Sequence, residues 1–224
     1  MKTRTRLRRY HIWLGWLVGL PLLIWTVSGL VMVAKPIEEV RGEGLLADPA
    51  ALAPGAALVA PAIGPRPVKS LALEQRAGGA RWVIRYADGG SRLADPATGR
   101  LLGLRISAAD AVREVEARYT GAARIRGVGR TSAAAPPLDL RRAVDSWRVT
   151  MTDGTRFYVD AATGEIVARR TGWWRFYDLM WGLHIMDLKT REDSHNPLVI
   201  GLAVISLAST MLALVLLPMT LRRP

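Results

Sequence analysis

Apolar residues run without a charge from Ile12 to Ala34 and again from Pro197 to Leu217, and between these stretches the pattern breaks into short alternations of apolar and polar positions. The two runs hold 23 and 21 residues, which as helices measure about 35 and 32 Å at about 1.5 Å per residue. A hydrocarbon core is about 30 Å thick, and a helix satisfies its own backbone there. Two transmembrane helices are therefore expected, at 12–34 and 197–217. A cleavable signal sequence is the rival reading of the first, because Lys2, Arg4, Arg6, Arg8 and Arg9 precede it. Signal cores run only about 7 to 15 residues, so an uncleaved anchor is expected.

The middle segment contains a motif written twice. Trp82, Asp88, Gly89, Asp95, Ala97, Thr98 and Gly99 recur as Trp147, Asp153, Gly154, Asp160, Ala162, Thr163 and Gly164, each pair 65 positions apart. A fixed offset of this kind sets the fold and is read as a tandem unit, with repeats at about 42–104 and 105–170. Around Asp153-Gly154 the runs Ser146 to Thr152 and Arg156 to Asp160 partly alternate, which predicts two strands joined by an Asp-Gly hairpin turn. Asp160 to Gly164 then offers an Asx-type turn with glycine at the positive-φ position, ahead of a third strand at Glu165 to Arg169. Asp88, Gly89, Asp95 and Gly99 are expected to do the same in the first copy.

Before the second meander, Ser107 and Asp110 have the spacing of a capping box. Ala108, Ala111, Val112, Val115 and Tyr119 then fall on one helical face, with Gly121 as a stop. That helix is expected to cover one side of the sheet, as a small meander requires. Ala47 to Leu58 is its expected degenerate counterpart in the first copy, weakened by Pro49, Pro54 and Gly55. Ala60 to Pro67 and Ser132 to Pro137 read as loops. The expected fold class is thus an α+β extracytoplasmic domain of two helix-plus-meander repeats at 35–172, flanked by two transmembrane helices.

Charge orients this arrangement. Seven of the 31 cations lie in the tails, 1–11 and 218–224, which contain no acid; the remaining 24 face all 19 acids, so the middle carries a formal charge of only +5. Positive tails are retained in the cytoplasm, which predicts a two-pass protein of the inner membrane with both termini cytoplasmic and the middle periplasmic. The high pI is then a topology signal, and a nucleic-acid partner is not expected. The chain has no cysteine, so disulfides, thiol chemistry and Cys-based metal sites are excluded.

The start of the first apolar run, Arg9-Tyr10-His11-Ile12-Trp13-Leu14-Gly15, its Ser28-Gly29, and the repeated D-x-x-T-G turn resemble PepSY-domain proteins with PepSY-associated transmembrane helices. The resemblance implies an extracytoplasmic α+β domain, in some members tied to restraint of peptidases. Larger relatives, with four or more spans, reduce ferric siderophores and hold b-type haem on helix histidines. It therefore implies two alternatives: a non-enzymatic binding or regulatory module with a periplasmic protein or peptidase as partner, or a haem-carrying accessory in iron reduction with His11 and His184 as candidate ligands. This chain departs from the larger relatives in having two expected spans.

His11 lies at the inner end of the first span, whereas His184 and His195 precede the second on the opposite side. Two axial ligands of one iron sit about 4 Å apart, and a bilayer core is about 30 Å thick, so His11 and His184 do not share a haem within one chain. Trp173 to Met186 is aromatic-rich and too short to span, and 173–196 is read as an interfacial amphipathic segment. His195 stands before Asn196-Pro197, a cap for the second span. Gly15 and Gly19 form a GxxxG face, open either to a homodimer or to the second span. No nucleophile elbow, carboxylate pair or phosphate loop is present, and no catalytic or metal-ligating residue is assigned. Arg124, Arg126, Arg130, Arg141 and Arg142 are expected to be solvated loop charge, the alternative being a basic patch toward anionic lipid, peptidoglycan or an acidic ligand.

Overall fold

The structure, a computed structural model, describes residues 2–53, 55 and 57–221, with side chains from Arg4 to Pro218 apart from residues 54 and 56. Lys2, Pro54 and the two cations of the 218–224 tail, Arg222 and Arg223, lie outside the described side chains. The chain divides into two compact units, residues 37–174 and residues 1–36 with 175–224. Helices α1 (Lys2–Val33), α2 (Ile37–Arg41), α3 (Ala108–Arg118), α4 (Gly172–His184) and α5 (Pro197–Leu221) alternate with strands β1 (Val68–Arg76), β2 (Gly79–Tyr86), β3 (Ser91–Ala94), β4 (Ile125–Thr131), β5 (Ser146–Met151), β6 (Arg156–Asp160) and β7 (Ile166–Arg170). The architecture is α+β, with apolar terminal helices flanking a central domain.

In residues 37–174 the strands form two antiparallel sheets, β1-β2-β3 and β4-β5-β6-β7. Helix α3 starts as the capping pattern dictates: the Ser107 side chain accepts from the Asp110 N–H, and Asp110 accepts in return from the Ser107 N–H. Its apolar stripe, Ala111 and Val115, packs on Val149, Met151, Phe157 and Val159 of the second sheet, all buried. Burying a large aliphatic or aromatic side chain is worth about 1.5–3 kcal/mol, so this layer dominates the domain. On the other face, Tyr158, Leu140 and Ala168 form a smaller core. There the Tyr158 hydroxyl donates to Asp139 at 2.7 Å, and Arg156 holds the same carboxylate at 2.9 Å.

The first sheet differs from expectation. Residues 47–58 form no helix where they are described; the chain before β1 instead has α2, a 3₁₀ turn at Glu43–Leu45 and an extended stretch. Pro49 and Gly55 interrupt any helical run, and Leu46 pairs instead with Tyr119 at the end of α3. Val59 and Ala60 lie against the Asp95–Gly99 turn, Val59 donating its N–H to the Pro96 carbonyl at 2.8 Å. Trp82 donates its indole N–H to the Val59 carbonyl at 2.9 Å, just as Trp147 donates to Ile106, one residue before the α3 cap, at 3.1 Å. Strands β1 and β4 are also additions to the expected meanders, and they move Arg126 and Arg130 from a loop onto an edge strand.

The two turns that end in glycine match in conformation but not in surroundings. Gly99 and Gly164 have φ of 68° and 73°, and a Cβ on Gly99 would stand 2.5 Å from the Ala60 carbonyl oxygen, whereas at Gly164 the nearest atom is 3.7 Å away.

Two outcomes follow for the full chain unfolded by denaturant in detergent. Gly164→Ala costs about 1–2 kcal/mol, the left-handed penalty, and Gly99→Ala costs about 1–3 kcal/mol more from the clash; equal losses contradict the packing described. Burial and then the Asp139 hydrogen bond push the Tyr158 phenol up to about 12. The fold favours the neutral form, so this contribution is intact below pH 10 and fades as pH rises from about 10 to 12. Tyr158→Phe removes that dependence and costs about 1.5–3 kcal/mol at pH 7, measured as unfolding free energy against pH.

Candidate functional site

The carboxylates marked by sequence are each engaged in a turn. Asp95 accepts the N–H groups of Ala97 and Thr98 at 2.8 and 3.0 Å, and Asp160 those of Ala162 and Thr163 at 2.7 and 2.8 Å. Asp88 accepts from the Gly90 N–H and from Arg66, and Asp153 from the N–H and hydroxyl of Thr155, with Gly89 and Gly154 beside them at φ of 86° and 81°. The N–H groups of Thr98 and Ala97 hold the Asp95 carboxyl below its usual range, and Arg66 does so for Asp88. A carboxylate held in this way is a poor general base.

Within the central unit a cleft of about 220 Å³ lies between the sheets, lined by Arg76, Arg81, Arg105, Arg113, Asp110 and Glu114 among others. Its charges are already engaged, some within one half and some, through Arg76, Glu114 and Arg85, in joining the two. Arg76 donates to the Thr163 carbonyl at 3.0 Å and to Glu74 at 2.6 Å, Glu114 accepts from the Ala77 N–H at 2.8 Å, and Arg85 bridges Glu74 and Glu165 at 3.1 Å each. Arg105 meets Asp145 at 2.5 Å, and Arg113 meets Asp110. Sequence reasoning missed this network because its partners lie up to 87 positions apart.

The histidines belong to the other unit. The His184 ring stacks on Trp25 with centroids 4.6 Å apart, and its Nδ1 lies 3.0 Å from the Trp25 carbonyl and 3.1 Å from the Ser28 hydroxyl. A carbonyl oxygen only accepts, so in that bond Nδ1 is the donor and Nε2 is the ring nitrogen left uncommitted. Gly29 makes room for the ring, since a Cβ there would stand 3.2 Å from Cε1. The position is set by the last turn of α4 and by a loop folded back on it: Asp178, buried, pairs with Arg191 at 2.6 Å, and Trp181 donates to the Arg191 carbonyl at 3.0 Å. Asp187 gathers the N–H groups of Lys189, Thr190, Glu192 and Asp193, and its carboxyl is held far below the usual range, first by the Thr190 hydroxyl. Asp187 repeats the D-x-x-T turn of Asp95 and Asp160, with Arg191 at a φ of 59° where those turns have glycine, and it was missed because that glycine is absent; Asp178 has no local signal.

His11 stands apart from this arrangement. The rise of α1 from His11 to Trp25 is about 20 Å, and the Nδ1 of His11 is buried without a hydrogen-bond partner among the described residues. With Gly15, Gly19 and Leu20 it lines an open groove of about 430 Å³ along α1. Among the described residues nothing lies within 4 Å of a Cβ placed on Gly15, Gly19 or Gly201. Helix α1 does pack on α5, but these glycines are not where they touch. Asn196 caps α5, accepting from the Val199 N–H at 3.1 Å. Among the described residues no three His, Asp or Glu side chains are grouped to hold a metal.

Comparison with known proteins adds one finding. The family model described as peptidase propeptide and YPEB domain, PepSY, matches residues 105–170, the segment that holds α3 and β4 to β7. Searches of the curated proteins and of the solved structures returned no match. Two helices, Arg4–Val33 and Pro197–Pro218, are long and apolar enough to cross a membrane. Residues 105–170, from the α3 cap to β7, are therefore a PepSY domain, set in the sequence between two apolar helices that suit a bilayer.

Proposed function

We propose that this protein is a two-pass anchor of the inner membrane that holds its tandem α+β unit in the periplasm, where it binds a partner protein instead of catalysing a reaction. The observation that carries this reading is the commitment of Asp88, Asp95, Asp153 and Asp160 to turn backbone, which converts the most chemically suggestive positions of both copies into scaffold. The family's own description, a peptidase propeptide domain, supports a peptidase-like partner. The acid-free basic tails support cytoplasmic termini. The open GxxxG groove at Gly15 and Gly19 supports a lateral helix contact, a homodimer among them.

A second reading, a haem-carrying accessory of iron reduction, is favoured by one observation at His184. An imidazole whose Nδ1–H is held by a backbone carbonyl presents Nε2 as a ligand, the usual second-shell arrangement of ligating histidines. His184 would thus hold an iron by Nε2, and His11 could hold another only as a separate site. Such a group would supply one-electron transfer when bound. The chain's own part is to fix the ring through Trp25, Ser28 and Gly29.

The readings part in two experiments. A photo-reactive residue at Glu116, on the exposed side of α3, is expected to give a discrete adduct with one periplasmic protein in intact cells; adducts with lipid or with its own chain alone contradict the first reading. Full-length protein from haem-replete cells is expected to show no Soret or α-band in a reduced-minus-oxidised spectrum; a band abolished by His184→Ala establishes the second. Topology is read with single cysteines, since the native chain has none. Ala87→Cys reacts with an impermeant maleimide in intact spheroplasts and Thr5→Cys only after permeabilisation, and the reverse order overturns the orientation.

A further inference from the structure

Strand β4 is an edge strand of the second sheet, hydrogen-bonded to β5 on one side only. In an antiparallel edge strand every second residue turns its N–H and C=O away from its neighbour, leaving a template for one more strand. Natural edges are commonly blunted by a covering element, a proline, a bulge or charged side chains; β4 has a register shift between Ile125 and Gly127 and two arginines, which turn away a like-charged strand but leave Gly127–Thr131 in regular pairing register. Here the strand reads Ile-Arg-Gly-Val-Gly-Arg-Thr, and Arg126, Gly127, Val128 and Arg130 are all exposed. Val128, an apolar side chain in the middle of the strand, is 41% exposed. No atom comes within 4 Å of a Cβ built on Gly127 or Gly129, so the face opposite α3 is open as well.

The charge along this edge has one sign. Arg124, Arg126 and Arg130 flank the open backbone, no acid lies within β4, and Asp145, the acid nearest Arg130 at 3.8 Å, is already held by Arg105 at 2.5 Å. The other open edges differ. The β7 edge is flanked by Arg41, Leu46 and Trp174, with Arg169 hydrogen-bonded to the Arg41 carbonyl, and β1 carries Glu74 in a closed pair of ion pairs. A second copy of β4 is a poor occupant, because antiparallel pairing about Val128 sets Arg126 opposite Arg130, and like charges across a strand pair repel.

We infer that β4 is the docking edge of this domain and that its occupant is an extended, acidic peptide segment of the partner protein, added to the sheet as a fifth strand beside β4. Main-chain hydrogen bonds supply the affinity, and the arginines select acidic side chains, the recognition mode of strand addition. The inference rests on the binding reading above and specifies the partner's chemistry.

The test uses full-length protein in phosphatidylcholine nanodiscs and a fluorescent heptapeptide that alternates Glu or Asp with Val, followed by anisotropy. Saturable binding is expected, at least tenfold weaker to the double variant Arg126→Glu, Arg130→Glu, with the preference reversed for a peptide in which Lys replaces each acid. Binding of the Lys peptide to that variant shows that its edge is still folded. Hydrogen exchange is expected to slow at residues 125–131 when the acidic peptide is bound. Equal binding of a peptide with the same charges whose valines are replaced by proline overturns strand addition, leaving charge alone. Binding unchanged in the double variant overturns the site, and protection of 125–131 by anionic lipid without peptide assigns the edge to a membrane surface instead. Should these arms fail while the periplasmic adduct at Glu116 persists in the double variant, this inference falls and the binding reading stands; loss of the adduct from the wild type removes the reading itself.

Discussion

Hydrocarbon offers a polypeptide no hydrogen-bond partner, and this constraint shapes the chain from both ends. Leu20, Leu30, Val204, Leu207 and Leu214 each keep more than 60% of their surface uncovered by protein. Two helices so faced are unsuited to water and well suited to lipid, whose tails are as apolar as leucine. Ser28 and Ser209 are buried, whereas the exposed Thr26 and Thr210 return their hydroxyls to the carbonyls of Leu22 and Ser206. The same logic explains His184. Held by the Trp25 carbonyl and shielded by the Trp25 ring, it is a polar group satisfied against a helix that is otherwise apolar.

In the central unit the governing economy is that of backbone groups. The two segments offset by 65 positions solve their turns with the same bonds, down to the pair of N–H groups gathered by Asp95 and by Asp160. They differ in what covers the sheet. The second has α3 and a core of six buried residues, whereas the first has no α-helix on its core of three, which Val68 and Trp82 pack against. The shared geometry therefore lies in the hairpins and in the tryptophan that finds a carbonyl, Val59 for Trp82 and Ile106 for Trp147.

Sequence pattern carried the long-period features well. The apolar runs, the α3 cap at Ser107 and Asp110, the strands at β5 to β7 and the Asn196 cap each rest on local spacing, and local spacing survives folding. Strands β1 and β4 were not legible, because Leu, Ala, Glu and Gln in β1 favour helix and the glycines of β4 break any alternation; their pairing with β2 and β5 decides the matter. Residues 47–58 erred the other way, where apolar content suggested a helix that proline and the Leu46–Tyr119 pairing exclude. The Asp178–Arg191 pair and the inter-sheet ion pairs were invisible for a simpler reason: nothing near either partner in sequence points to the other.

The depth of the two terminal helices is the quantity on which all of this turns. Spin labels at Leu20, Leu207 and Ala87, introduced singly into the cysteine-free chain and reconstituted in lipid vesicles, report it through relaxation by oxygen against a water-soluble nickel chelate. Labels at Leu20 and Leu207 relaxed by oxygen and shielded from nickel, with Ala87 the reverse, are the expected result. Nickel access at Leu20 and Leu207 equal to that at Ala87 would show helices lying in water, and a membrane anchor could no longer be maintained.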